Sequence, residues 1–188
     1  ACAPYRRLHL CNKNMEKMGR TSTTKHDLLA EVCMAAKYEG DSIKTPYTKH
    51  EHTNPGTASQ LCTVLARSFA DIGDIIRGKD LYRRDKGEET KLQFSGKKGN
   101  NKSTLTGLSI DEVREYWWEL NRETVWKALT CDAHGTYFRQ TCGSNAKTAT
   151  LAKDKCRCDD KTSGGKADQV PTYFDYVPQY LRWFEEWA

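Results

Sequence analysis

Two short clusters of side chains have types and spacing that could support chemistry. His50-Glu51-His52 places two imidazoles beside a carboxylate, which are ligand types found in zinc sites. The sequence offers no third ligand at a usable spacing, so we interpret this cluster as solvated side chains rather than a metal site. Asp71 and Asp74 are three residues apart, so on a helix they could form a general acid/base pair. Arg67 and Arg77 lie four and three residues from them, which favours structural ion pairing instead.

The chain has eight cysteines, and their spacing argues against both metal binding and catalysis. There is no C-x-x-C pair, and the closely spaced Cys156 and Cys158 have no partner pair at a zinc-like distance. An even number of irregularly spaced cysteines is typical of disulfides in an oxidising compartment, and oxidised cysteines cannot act as nucleophiles. Nucleophile elbows and phosphate-binding loops are also absent. The sequence therefore predicts no catalytic residue, no metal and no cofactor, and we expect a binding protein rather than an enzyme.

Positive charge is concentrated in two segments. The 188 residues carry a net charge of +5, with residues 1–25 strongly basic and residues 77–102 holding nine Lys and Arg against four Asp and Glu. Clustered positive charge favours polyanionic partners in a salt-dependent way. A charge run is equally often a solvated loop, so this pattern alone leaves both interpretations open.

Two helices are predicted in the first half of the chain. The first spans Lys25 to Glu39, with Gly40 as its stop signal. The second spans about Ala58 to Arg77, with Gly78 placed to end it. Its apolar stripe consists of Leu61, Leu65, Phe69, Ile72 and Ile76.

Two more helices are predicted in the second half. Residues 109–112 form a capping box, and the helix behind it has an apolar face made of Val113, Trp117, Leu120, Thr124 and Ala128, broadened by Trp118, Val125 and Leu129. The fourth helix begins near Asp175 or Val177, with Pro178 in its first turn and Leu181, Phe184 and Trp187 facing one way. It has no end signal, so we expect it to continue in a longer parent protein. The polar stretches 83–107 and 141–170 read as long surface loops.

Four long segments, taken in order, identify a resemblance to a known family. They are Cys2–Arg7, Ala66–Tyr82, Trp117–Cys131 and Tyr173–Trp187. Together they closely resemble the alpha-class Duffy-binding-like domain of Plasmodium falciparum erythrocyte membrane protein one, over essentially the whole chain. The resemblance implies an all-α fold of disulfide-linked helical-bundle subdomains with long loops, here truncated. It places the first subdomain at residues 1–52, the second at 53–132 and the start of the third at 133–188.

The resemblance also implies disulfide partners. By analogy with the family, Cys62 pairs with Cys131, and further pairs join Cys11 to Cys33 and Cys142 to Cys156. On this basis Cys2 and Cys158 are expected to lack partners within the chain.

The function implied by the resemblance is adhesion at the surface of the infected erythrocyte. The family's alpha domains are linked to rosetting through heparan-sulfate-like glycans, blood-group sugars or a complement receptor, and antibodies are further expected partners. Nucleic acid is not expected, nor membrane contact except through the parent protein. The basic clusters favour sulfated glycans, since Arg and Lys bind sulfate through charge-assisted hydrogen bonds. The candidate ligands are Arg6, Arg7, Lys13, Lys17, Arg20, Arg77, Lys79, Arg83, Arg84, Lys86, Lys97, Lys98 and Lys102. The alternative is a structural and antigenic module that supports a neighbouring binding domain.

Overall fold

Helices dominate the described part of the chain. The computed structural model describes residues 2–12, 15, 25–53, 60–82, 108–143, 147–152, 154–158 and 170–188. The α-helices with described bounds are α1 (Tyr5–Leu8), α2 (Lys25–Thr53), α3 (Leu61–Arg77), α4 (Ile110–Thr130) and α5 (Gln179–Trp187). The other elements described are the 3-10 helices η1 (Asp154–Cys156) and η2 (Phe174–Tyr176) and the antiparallel strands β1 (Gln140–Cys142) and β2 (Thr150–Leu151). The predicted all-α class is confirmed.

Helix α3 lies at the centre of the fold. It contacts α1, α2, α4, α5 and η2, and nearly all of its residues are buried. The predicted apolar stripe from Leu61 to Ile76 is fully buried. The helix ends at Gly78, whose φ of 74° is a left-handed conformation that glycine adopts without a Cβ clash. The predicted start near Ala58 lies outside the described residues.

Helix α2 is much longer than predicted. It continues through Gly40 to Thr53, so the prediction that Gly40 stops it was wrong. A Cβ on Gly40 would lie 2.0 Å from the carbonyl oxygen of Leu129 at the end of α4. This glycine therefore lets two helix backbones approach each other closely, and that packing outweighs its low helix propensity.

Helix α4 begins at the predicted capping box, and only part of its predicted apolar face is buried, namely Trp117, Trp118, Val125 and Leu129. The Ser109 hydroxyl accepts a hydrogen bond from the Glu112 amide at 3.3 Å, and the Glu112 carboxylate accepts one from the Ser109 amide at 2.7 Å. Leu120, predicted to be in the core, is 80% exposed, and Thr124 is exposed as well. The side that packs on α2 and α3 carries these buried residues together with Trp126.

An aromatic cluster joins α3 to α4. The ring of Phe69 lies 5.1 Å from that of Trp118 and 5.2 Å from that of Trp126, measured between ring centroids. The indole of Trp126 donates to the Cys156 carbonyl at 3.1 Å, which ties the segment after the strands to the same core. The buried indole N–H groups of Trp118 and Trp126 thus both have an acceptor, which buried tryptophans usually find.

Candidate functional site

Asp71, in the middle of α3, is buried among basic side chains from both ends of the chain. One carboxylate oxygen accepts hydrogen bonds from Arg182 at 2.8 Å and Gln179 at 3.1 Å, and the other pairs with Arg6 at 2.8 Å. Burial acts to raise the pKa of Asp71, but Arg6 and Arg182 overcome it and hold that pKa below its ordinary value. The sequence had suggested Arg67 as its partner. The actual partners are far away along the chain, and no helical spacing could have indicated them.

Asp74, one turn further along α3, confirms the predicted pairing with Arg77. The Arg77 guanidinium donates to the Asp74 carboxylate at 3.0 Å, and Arg182 contacts the other oxygen. Arg77 also lies over the rings of Trp118 and Tyr176. Burial is the largest influence on Asp74 and raises its pKa to about 6, although both arginines oppose the shift.

Further ion pairs extend this network towards α1 and α5. Arg6 donates to both oxygens of Glu186, at 3.0 and 2.9 Å, and the buried Arg7 pairs with Asp80 just after α3. Gln179 bridges the acids, since its amide donates to Asp71 and, at 2.7 Å, to Asp80. The N-terminal segment, the central helix and α5 are therefore held together by buried charge.

A second buried carboxylate joins η2 to α4. Asp175 accepts two hydrogen bonds from Arg122, both at 2.8 Å, and one from the Trp118 indole at 2.9 Å. Arg122 also donates to the Thr172 carbonyl at 2.9 Å. Such bidentate contacts fix the angle as well as the distance between two elements. Since these acids are already paired with arginine, the arrangement favours structural ion pairing over general acid/base work.

A cleft of about 280 Å³ opens beside this network, between the end of α3 and the turn before α5. Its floor includes Asp74, Arg77 and Gln179, whose polar groups are engaged with one another or with neighbouring groups. Its outer wall includes Tyr176 and Tyr180, which are about half exposed. The polar groups of these three residues thus already have partners within the protein and do not point to a ligand.

Four of the thirteen predicted glycan ligands lie in the described residues, and three of these belong to the interior network. Arg6, Arg7 and Arg77 are no more than 14% exposed at their side chains and are committed to ion pairs. Lys79 is 57% exposed and pairs with Glu115. The other nine lie outside the described residues: Lys13, Lys17, Arg20, Arg83, Arg84, Lys86, Lys97, Lys98 and Lys102. The role of these nine residues as glycan ligands stays a prediction.

The disulfides differ from those that the resemblance implied. Cys62 is bonded to Cys156, with Cα atoms 5.4 Å apart, and not to Cys131. Cys142 is bonded to Cys158, not to Cys156, so the expectation that Cys158 lacks a partner was also wrong. Cys62 is fully buried on the first turn of α3, next to the segment that Trp126 holds in the core, whereas Cys131 is an exposed residue capping α4. The bond thus joins two fully buried cysteines, Cys62 and Cys156, and leaves the exposed Cys131 as a free thiol.

The remaining cysteines are free thiols. Cys11 and Cys33 are half-buried but not bonded to each other, contrary to the implied pair. Burial and then the Glu39 carboxylate raise the pKa of Cys11, and the Cys11 amide donates to Glu39 at 3.1 Å. Cys2 is exposed and free, as expected.

In the described ranges, no three His, Cys, Asp or Glu side chains are arranged to hold a metal ion. Residues 50–52 belong to α2, but their side chains are not among those that the structure describes. None of the helices described is long and apolar enough to cross a bilayer.

Comparison with known protein families shows the family to which the chain belongs. The family model described as the Duffy binding domain matches residues 1–182. The chain belongs to the Duffy binding domain family. The resemblance read from the four sequence segments is thereby confirmed.

Solved structures agree with this assignment. The NTS-DBL1(alpha-1) domain of Plasmodium falciparum membrane protein 1 from the varO strain is 40% identical, with a TM-score of 0.73, and the match covers 100% of this chain and 43% of that one. The DBLbeta domain of IT4var13, solved bound to ICAM-1, is 31% identical, with a TM-score of 0.61 and coverage of 100% and 44%. Region II of Plasmodium falciparum Erythrocyte Binding Antigen 140, solved in complex with sialyllactose, is 26% identical, with a TM-score of 0.59 and coverage of 99% and 25%. The chain thus spans less than half the length of each.

The four segments that carry the resemblance to Duffy binding domains meet in the buried network. Cys2–Arg7 supplies Arg6 and Arg7, and Ala66–Tyr82 supplies the acids of α3 together with Arg77 and Asp80. Trp117–Cys131 supplies Trp118 and Arg122, and Tyr173–Trp187 supplies their partner Asp175 and the α5 side chains. The segments that carry the resemblance to this family are thus joined to one another by the buried network.

Proposed function

We propose that this chain is a cell-adhesion module displayed on the outer face of the infected erythrocyte. It binds receptors of host cells. Membership of the Duffy binding domain family carries the proposal, because related domains have been solved in complex with ICAM-1 and with sialyllactose. The ligands bound in these related structures thus include a protein receptor and a glycan. The three subdomains 1–52, 53–132 and 133–188 are part of the same proposal.

Within this function we favour sulfated, heparan-sulfate-like glycans over blood-group sugars or a complement receptor. The basic segments 1–25 and 77–102 provide the charge, and sulfate is bound well by Lys and Arg. Since Arg6, Arg7 and Arg77 are engaged inside the fold, binding rests on Lys79 and on the nine basic candidates outside the described residues.

A structural and antigenic module is the second candidate function. Three predicted ligands turn out to be interior residues, and this observation favours a role in which the chain positions a neighbouring binding domain. On that interpretation, neutralising the exposed basic residues leaves adhesion intact.

Retention of the oxidised monomer on immobilised heparin across a salt gradient separates these functions. The test variant neutralises Arg83, Arg84, Lys86, Lys97 and Lys98 with glutamine. The control variant lowers the net charge equally at basic residues elsewhere: Lys37, Lys44, Arg139, Lys147 and Lys155. Heparin binding at a defined site predicts wild-type retention beyond physiological salt, loss in the test variant and little change in the control.

Two results would contradict the glycan proposal. If both variants elute earlier by the same amount, retention reflects net charge alone. If the wild type itself elutes at low salt, a protein receptor such as the ICAM-1 of the relative becomes the next ligand to test, by surface binding to purified receptor.

A further inference from the structure

The outward side of α4 carries two neighbouring rows of side chains, each spaced by four residues. One row is acidic and consists of Asp111, Glu115, Glu119 and Glu123. The other row consists of Glu112, Tyr116 and Leu120. Tyr116 is 56% exposed and Leu120 is 80% exposed, so an apolar ridge runs beside the acids. Like charges four residues apart slightly destabilise a helix, so helix stability gives no reason for an acidic row.

Glu119 lies at the centre of this surface. The other acids of its row, Asp111, Glu115 and Glu123, are each paired with a basic side chain. Glu119 is exposed and accepts a hydrogen bond from the hydroxyl of Tyr176. Because the hydroxyl is neutral, this bond orients the carboxylate without removing its negative charge. The surface therefore presents a charged group in a fixed position.

Tyr173 and Tyr176, which precede α5, extend the surface beside α4. The guanidinium carbon of Arg122 lies 5.6 Å and 5.2 Å from their ring centroids. Arg122 is itself held by both oxygens of the buried Asp175. The two rings are nevertheless 58% and 45% exposed. Side chains that are ordered before binding lose little freedom on association, and tyrosine is enriched among the residues that contribute most to protein interfaces.

The charge of these exposed side chains restricts what can bind them. We call them the acidic–aromatic face, which consists of Tyr116, Glu119, Leu120, Glu123, Tyr173 and Tyr176. The cations beside it, Lys79, Arg122 and Lys127, are each engaged with a carboxylate. A sulfated glycan needs available cations, and so does the surface of an anionic membrane. Carboxylates beside an apolar ridge instead complement a protein segment that carries basic and apolar side chains.

We propose that the acidic–aromatic face docks a partner protein through a basic, amphipathic segment of that partner. Lysine or arginine side chains of the segment pair with Glu119 and Glu123, and its apolar side chains pack on Leu120 and the tyrosine rings. This inference goes beyond the proposed function and does not rest on the glycan, because the face includes none of the basic glycan candidates.

The test measures binding of two short fluorescent peptides to the oxidised chain at physiological salt, by fluorescence anisotropy. Both peptides have leucine at the same helical spacing; one carries lysine at the remaining positions and the other carries glutamate. The charge variant combines Glu119→Gln with Glu123→Gln, and its matched control combines Asp41→Asn with Glu185→Gln, two exposed acids elsewhere. The apolar variant is Leu120→Ser, and its control is Met34→Ser on α2, where the side chain is 46% exposed.

We expect the wild type to bind the lysine peptide and not the glutamate peptide. The charge variant and Leu120→Ser should each weaken binding about tenfold, because each removes one of the two kinds of contact. Both controls should change the affinity by less than about twofold. All substituted side chains are exposed, so the urea unfolding midpoint should stay near that of the wild type and show that the variants are folded.

Four results would overturn the proposal. If the charge variant and its control weaken binding equally, the peptide responds to net charge and not to this face. If Leu120→Ser binds like the wild type, the apolar ridge takes no part. If the wild type binds neither peptide, the face does not recognise a basic segment. If the chain forms a dimer that Leu120→Ser dissociates, a second copy is the occupant. Heparin retention of the same variants, measured separately, tests the glycan proposal independently of these results.

Discussion

Asp71 provides the sharpest test of the buried network, through the substitution Asp71→Asn. The change keeps the shape of the side chain but removes its charge, so it breaks the ion pairs to Arg6 and Arg182, both 2.8 Å in length. Asp71 is fully buried, and these two guanidinium groups are 14% and 5% exposed, so water cannot replace the lost partner. Two arginines would then face each other across a neutral amide.

The expected loss of folding stability depends on the ion pairs that Arg6 and Arg182 keep after the substitution. Removing one partner of a buried ion pair typically costs about 3–5 kcal/mol. Arg6 keeps Glu186 and Arg182 keeps Asp74, so we expect the lower end of that range, about 3 kcal/mol. With a urea m-value of about 2 kcal/mol/M, the unfolding midpoint should fall by about 1.5 M.

Urea unfolding of the disulfide-intact protein, followed by tryptophan fluorescence, measures this shift. Asp111→Asn is the matched control, because Asp111 is 81% exposed and lies 4.0 Å from its partner Arg114. A surface pair is worth about 0–1 kcal/mol, so its midpoint should move by less than about 0.5 M. Equal shifts in the two variants would refute the reasoning, because the network would then contribute no more than a solvated ion pair.

Three further predictions use the same unfolding assay. Ser109→Ala should cost about 1 kcal/mol because it removes the capping box, whereas Thr124→Ala on the exposed side of the same helix should cost nothing; equal effects would contradict the role of the cap. Gly40→Ala should destabilise by about 1–3 kcal/mol despite alanine's better helix propensity, because its Cβ meets the Leu129 carbonyl; a gain in stability would show that α2 and α4 can separate freely. The pKa of Asp74 is about 6 in the folded state, which is above its unfolded value, so the folded state binds more protons between these two pKa values. Lowering the pH from 7 to 5 should therefore stabilise the wild type by about 1 kcal/mol relative to Asp74→Asn. If the wild type gains no stability relative to the variant, the raised pKa is contradicted.

The sequence predicted those features that depend on neighbouring residues. The capping box at Ser109 sets the start of α4 and Gly78 sets the end of α3, because both act within one helical turn. The stop predicted at Gly40 failed for the opposite reason. A glycine in a helix looks like an end signal until the helix that packs against it is known, and Leu129 is 89 positions away in the sequence.

The network itself required the tertiary structure. Helical spacing identified the Asp74–Arg77 pair but could not show that Asp71 is bound by Arg6 and Arg182, since these arginines arrive from opposite ends of the chain. The pattern of α5 did contain a usable signal. Its polar residues at positions 179, 182 and 186 share a face that includes Trp183, and such a face could have been read as the buried one.

The same network bears on where receptor specificity can reside. Arg6, Asp71, Asp175 and Arg182 lie within the segments that identify the family, and their side chains are at most 14% exposed. For a receptor to engage any of them, a buried pair would have to break, at a cost of about 3–5 kcal/mol before any new contact forms. Substitutions at exposed residues leave the network intact, so we expect such domains to differ in receptor choice at exposed positions. A variant that alters binding without altering the unfolding midpoint should therefore map outside these four residues.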